Sequence, residues 1–160
     1  MKKLKKRGTK SAFIRALISF IILSIIIIGV SSYFIFSNIW IGPIFLLLGI
    51  LCLIFSKGVN IQIKSIYPDI IFGVIDNGIL VFAAVIGGNL AGIPGAIIGG
   101  AAGNTITDGI GGLFEGYLAE HQRKFEIDNL RTAMSSMLGK MAGCLLGAGI
   151  GLILIYLITV

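Results

Sequence analysis

Charge is scarce in this chain. Aspartate, glutamate, lysine and arginine together make up 12% of its 160 residues, whereas soluble globular domains carry about 25%. So few charged side chains cannot cover a water-soluble surface of this size, which argues against a soluble domain. Histidine occurs once, at His121, and cysteine twice, at Cys52 and Cys144. The two cysteines lie in apolar segments without metal-ligand spacing and read as buried, inert thiols. One histidine alone makes neither a metal cluster nor a catalytic constellation. The chain also lacks a Walker-type phosphate loop, a nucleophile–histidine pair and a zinc-spaced cluster. It does not read as an enzyme, and its length suits one domain.

Hydrophobic residues make up 56% of the chain, in long runs. A bilayer core about 30 Å thick needs about 20 helical residues. Residues 16–36, "ALISFIILSIIIIGVSSYFIF", supply the first span. The run is longer than a signal peptide's apolar region and ends in aromatics, so it reads as retained. Residues 39–55 form a second, shorter span after a turn at Ser37–Asn38, with Tyr33 and Trp40 at the interface. Residues 70–86 form a third span, which Pro68 is placed to open. A fourth runs from about Gly92 to Glu120, again with a proline, Pro94, near its start. At 1.5 Å per residue it is about 43 Å long, so its C-terminal end should emerge into water. Residues 141–160 form the fifth. Between the last two lies a polar connector in which Phe125, Ile127, Leu130, Met134, Met137 and Met141 recur at roughly helical spacing, as on a membrane-surface helix.

The expected fold is therefore all-α: a transmembrane bundle of five spans. It divides into a basic tail over 1–15, a hairpin over 16–56, a linker over 57–69 and a glycine-rich unit over 70–160, with an amphipathic connector over 120–140. The net charge is +6, and seven of the thirteen basic residues fall in the first fifteen positions, directly before an apolar run. That placement indicates anionic lipid headgroups, not nucleic acid. With the N-terminus cytoplasmic and the C-terminus outside, every Lys and Arg lies inside, including Lys57, Lys64, Arg123, Lys124, Arg131 and Lys140. The expected location is the cell membrane.

Glycines recur every four residues, which places them on one helix face. Gly95, Gly99, Gly103 and Gly111 form one row, with Thr107 in register. Gly139, Gly143, Gly147 and Gly151 form another in the last span. A third row runs Gly100, Asn104, Asp108, Gly112 and Gly116. Lipid gives helices no hydrophobic drive to associate, so small residues that let backbones approach mark helix contacts. Such glycine-zipper faces serve packing within the bundle or across a homo-oligomer, a dimer being favoured.

The fourth span carries acids, in "GNTITDGIGGLFEG". A hairpin turning near Leu90 sets Asp76 at a depth between or near Asn104 and Asp108. Asp76, Asn77, Asn104, Thr107 and Asp108 are expected to form one polar patch, with Glu115 nearer the interface and no basic residue at that depth. An ionised carboxylate in lipid costs about 2.5–3.5 kcal/mol on insertion scales. The acids are then protonated and hydrogen-bonded, or face a water-filled cavity, or hold a cation. Oxygen ligands suit protons, Na⁺, Mg²⁺, Mn²⁺ or Ca²⁺, and Asp76 and Asp108 are the candidate metal ligands. Met134, Met137, Met141 and Cys144 offer softer ligands at helical spacing, a pattern more often apolar filling.

Two motifs, "VIDNGILVFAAVIGG" and "GLFEGYLAEHQRK", give residues 72–154 a resemblance to the vacuolar iron transporter family. The resemblance implies a five-span dimer that exchanges a divalent metal for protons near the dimer axis, with Asp76 as the family's first-helix aspartate. Asp108 falls where the family places a methionine. Of the family's glutamate-rich cytoplasmic segment, only Glu120, His121, Glu126 and Asp128 have counterparts. Two readings therefore stand. One is a small cation or metal/proton transporter whose intramembrane acids, Asp76, Asn77, Asn104, Asp108 and Glu115, bind or carry the ion. The other is a non-transport membrane protein whose glycine faces mediate assembly. No cofactor is expected beyond a transported metal ion or proton.

Overall fold

The computed structural model describes residues 6–36, 41–124 and 131–159. The described residues are helical apart from short connections and include no strand. Four helices follow one another: α1 (Lys6–Phe36), α2 (Gly42–Gly58), α3 (Ile63–Lys124) and α4 (Ala133–Thr159). Three of them, α1, α3 and α4, contain stretches long and apolar enough to cross a membrane, while α2 is apolar but has only 17 residues.

α3 is bent back on itself. Its backbone leaves the helical region at Ala91 and Gly92, and Gly92 takes a positive φ of 62°, which glycine adopts without steric penalty. Pro94 follows in the first turn of the second arm, where an absent N–H costs little. The two arms, 63–90 and 93–124, run antiparallel. A Cβ on Gly87 would strike the carbonyl of Gly95, one on Gly99 would strike that of Ala83, and one on Gly103 would lie 2.8 Å from the Ala83 methyl. The described residues thus form five largely apolar rods. The reversal falls one to two residues after the expected Leu90, and only residues 91 and 92 leave the helix between the two arms.

α4 is the hub. α1, α2 and α3 each pack against it. Its row of Gly139, Gly143, Gly147 and Gly151 lies on the first arm of α3, against Ile66 and Asp69, Ile70, Val74 and Gly78 in turn. Its other side meets α2, where a Cβ on Gly49 would lie 2.7 Å from Leu146 and one on Gly149 would lie 2.9 Å from the Gly42 carbonyl. Cys52, Ala142 and Leu145 form the buried cluster there, with Ile27 of α1, Phe45, Leu48 and Leu53 packed around it. These registers place Lys10, Arg15, Lys57, Lys64, Arg131 and Lys140 towards one end of the bundle.

The helix ends have identifiable caps. At the end of α2, Asn60 takes a left-handed φ of 59°, its N–H bonds Lys57 O, and the Ile61 N–H bonds Ser56 O. This is a Schellman closure with asparagine in the glycine position. α4 opens on a reciprocal cap. The Ser135 N–H donates to Thr132 Oγ1 at 3.1 Å, and the Thr132 N–H donates to Ser135 Oγ at 2.7 Å, the geometry of a capping box.

One expectation needs correction. Pro68 does not open a helix, because α3 begins at Ile63 and Pro68 lies inside it; much of the expected linker over 57–69 is therefore helical. Of the amphipathic connector over 120–140, residues 120–124 and 133–140 belong to the helices on either side. The second arm continues to Lys124 and α4 starts at Ala133. Phe125, Ile127 and Leu130 of its apolar stripe lie outside the described residues, as do Ser37, Asn38, Trp40, Glu126 and Asp128.

Where a Cβ would meet backbone, substitution is costly, because a carbonyl cannot rotate away as a side chain can. Gly143 is in that position, against Ile70. Gly143→Ala should destabilise the detergent-purified protein by about 3 kcal/mol, the upper part of the overpacking range. Gly112, with nothing within 4 Å, should leave thermal stability of the single chain within about 0.5 kcal/mol when changed to Ala. Equal losses at both positions would contradict the packing described.

Candidate functional site

Polar side chains follow the seam between the first arm of α3 and α4, starting at the basic end. Asp69 is wholly buried. Arg131, just before α4, donates from Nη2 to both of its carboxylate oxygens, at 2.8 and 2.9 Å, and lies 3.4 Å from Ser136 Oγ. A charge-assisted contact of this kind compensates the carboxylate for lost water. Sequence reasoning missed the pair. The two residues are 62 positions apart, in segments read as polar connectors, and the only signal was an acid and a base each flanking a span on the same side.

One turn deeper, the Lys140 ammonium lies 4.1 Å from the centroid of the Phe72 ring, within reach of a cation–π contact. The same ring faces the position a Gly111 Cβ would occupy, at 2.8 Å. Phe72 and Asp76 are one turn apart on the same helix face. Lys140 was assigned to the aqueous connector, but α4 already runs from Ala133 and carries it into the seam, about one turn from the level of Asp76.

Asp76 is buried, with 9% of its surface exposed. It meets Thr107 of the second arm, whose Oγ1 lies 2.8 Å from Asp76 Oδ1 and 2.9 Å from the Gly103 carbonyl. Thr107 has one hydroxyl proton for three acceptors, the third being the Asn104 carbonyl at 3.1 Å. With Asp76 ionised, the proton goes to the carboxylate. With Asp76 protonated, the acid donates to Thr107 and the hydroxyl turns to Gly103. Thr107 is thus a partner for either charge state. Asn77, the next residue, is half-buried.

The expected patch is only partly assembled. The depth is as read from the hairpin: Thr107 lies between Asn104 and Asp108 and is the residue opposite Asp76. The direction differs for the other two. Asn104 and Asp108 lie on the side of the second arm turned away from the first, where Asn104 Nδ2 donates to Asp108 Oδ2 at 3.0 Å and Asp108 is exposed. Successive helical residues are 100° apart, so adjacent positions 107 and 108 look inward and outward. The side chain of Glu115 lies outside the described residues, and His121 is exposed near the end of the arm.

The outward face of the second arm has a character of its own. Ala101, Thr105, Asp108, Gly109, Gly112 and Gly116 are all exposed, and Gly109, Gly112 and Gly116 have nothing within 4 Å of where a Cβ would stand. Asp108 is midway along the arm, sixteen residues from Gly92 and sixteen from Lys124. Beside this face, Ile106, Leu113 and Tyr117 are strongly exposed, Leu113 at 76%. Among the described residues no group of three or more His, Cys, Asp or Glu side chains is placed to hold a metal ion. Within one chain, Asp76 and Asp108 are not brought together as a ligand pair.

No family model, curated protein or solved structure matches this chain.

Removing Arg131 would take its guanidinium from the buried Asp69 carboxylate. Arg131→Gln should cost about 3 kcal/mol of stability, the lower part of the range for a broken buried pair. Adding Asp69→Asn should recover much of that loss. A single variant as stable as the parent in thermal unfolding would show that the pair is dispensable.

Proposed function

We propose that this chain is a five-crossing integral protein of the cell membrane, with its basic end cytoplasmic, and that it functions as a homodimer joined along the outer face of the second arm of α3. The kinked α3 supplies two crossings, and α1, α2 and α4 supply one each. The clustering of basic residues at one end supports the orientation.

The observation that carries the dimer is the exposed Asn104–Asp108 pair halfway along an apolar helix. Facing lipid, a carboxylate at that depth costs several kcal/mol. A second copy related by a two-fold axis removes the cost. The interface is then the same patch on both chains, and each Asn104 has a second amide hydrogen for the carboxylate of its counterpart. Gly109, Gly112 and Gly116 leave room for the backbones to approach. The rows over Gly95–Gly111 and Gly139–Gly151 are occupied within the chain, so they serve the single subunit. This changes what Gly99→Leu or Gly143→Leu should do: the damage falls on the subunit's own fold before it falls on association.

Cysteine cross-linking tests the interface in a background carrying Cys52→Ala and Cys144→Ala. Gly112→Cys should give a disulfide-linked dimer in membranes, whereas Leu157→Cys, which is exposed elsewhere, should not. Gly112→Leu should shift the detergent-purified protein to monomer. Equal cross-linking at both positions, or a Gly112 cross-link to a different protein, would rule the homodimer out.

A second reading is that the acids carry a proton or a cation across the membrane. It is favoured by the Asp76–Thr107 arrangement, which accommodates both charge states, and by the motif resemblance to the vacuolar iron transporters, which exchange divalent metal for protons. In the dimer, two copies of Asp108 would face one another and provide the second acid that one chain lacks. Reconstituted liposomes should then show proton or divalent-metal flux, reduced at least tenfold by Asp76→Asn or Asp108→Asn. No flux above empty liposomes would leave the dimer proposal standing and remove this one.

A further inference from the structure

The starts of α1 and α4 do not close on each other. Between them is a cleft of about 600 Å³ lined by Ala12, Phe13 and Arg15 from α1 and by Arg131, Thr132, Ala133 and Met134 at the head of α4. Its volume is in the range of small-molecule sites. The lining divides by chemistry into two guanidinium groups on separate helices with a hydroxyl, and four apolar residues.

We infer that this cleft seats the headgroup of an anionic glycerophospholipid, with the phosphate between Arg15 and Arg131 and the first part of an acyl chain along Phe13, Ala133 and Met134. Guanidinium groups match phosphate oxygens in shape and charge. Arg131 is held in place by its contact with Asp69, so that side of the cleft is rigid before a ligand arrives. The cleft lies where the uncharged run of α1 begins, at Ala16, and at the end of the bundle that also carries Lys10, Lys57 and Lys64. That is headgroup depth on the side where anionic lipids concentrate. The mixed lining favours a lipid over a free anion, because a phosphate alone would leave the apolar half of the cleft unused. The inference rests on the membrane reading above, and on nothing about the dimer or transport.

The test uses the full chain in neutral detergent with a tail-labelled phosphatidylglycerol as probe. Phosphatidylcholine serves as the neutral lipid and inorganic phosphate as the headgroup anion without tails. Phosphatidylglycerol should bind at one site per chain and at least fivefold more tightly than phosphatidylcholine. Arg15→Gln should weaken it about fivefold while leaving phosphatidylcholine binding unchanged, and Arg15→Lys should recover part of the loss. Arg15 is exposed, and an unchanged helical circular dichroism spectrum would show the variant folded. Phe13→Ser should weaken the lipid in an equally folded protein, as a second check on the same cleft. Equal affinity for the two lipids, or unchanged phosphatidylglycerol affinity in Arg15→Gln, would overturn the inference. Displacement of the lipid by millimolar phosphate would replace it with a free-phosphate site. A protein that stays monodisperse without detergent would refute the membrane reading itself, which separates the two failures.

Discussion

Helices that have left water gain nothing by hiding apolar side chains from one another, since lipid is as apolar as leucine. What holds these rods together is contact between backbones, and the side chains that allow it are hydrogen atoms. At Gly87–Gly95, Gly99–Ala83, Gly143–Ile70 and Gly147–Val74 a single added methyl would meet a peptide group. At this separation, dispersion contacts add up along the whole length of a seam. The seams also set the register: the arms of α3 can slide past each other only by whole glycine steps. That register places Thr107 opposite Asp76 and Phe72 against Gly111.

The charged groups fit this frame in two different ways. Asp69, Lys140 and Asp76 lie on the inner seam and each has a specific contact: a guanidinium, an aromatic face and a hydroxyl. Asn104, half-buried, and Asp108, exposed, lie towards the outside and are bonded to each other. The second arm is consequently two-sided. One face is used up by its neighbour, and the other repeats the small-residue pattern at Gly109, Gly112 and Gly116 with no neighbour among the described residues. In water such a face would be unremarkable. Beside Ile106 and Leu113 it is polar in the wrong solvent.

Much of this was legible in the order of residues, because membrane helices reveal themselves by length and lack of charge. The five apolar rods, the reversal near residue 90, the depth match of Asp76 with the 104–108 segment and the glycine rows all follow from one-dimensional spacing. What spacing could not supply was rotation. Counting from the turn fixes depth but not direction, so Asp108 was assigned to the same patch as Thr107 although it is one residue, and 100°, away. Helix ends were the other weakness. Pro68 looked like a start signal, but the Schellman closure at Asn60 lets α3 begin earlier, at Ile63. Lys140 and Arg131 looked aqueous because they are charged, yet each had a partner distant in sequence, and pairing over such a distance leaves no local trace.

The hub position of α4 has a consequence for how the chain is made. α1, α2 and α3 precede it during synthesis, and each packs against it. Before α4 is made, the α3 hairpin can close its own seam through Gly87, Gly95, Gly99 and Gly103. A chain that stops short of residue 133 would lack the hub, and the side of the first arm that carries Gly73 and Gly78 would lose the backbone it packs against.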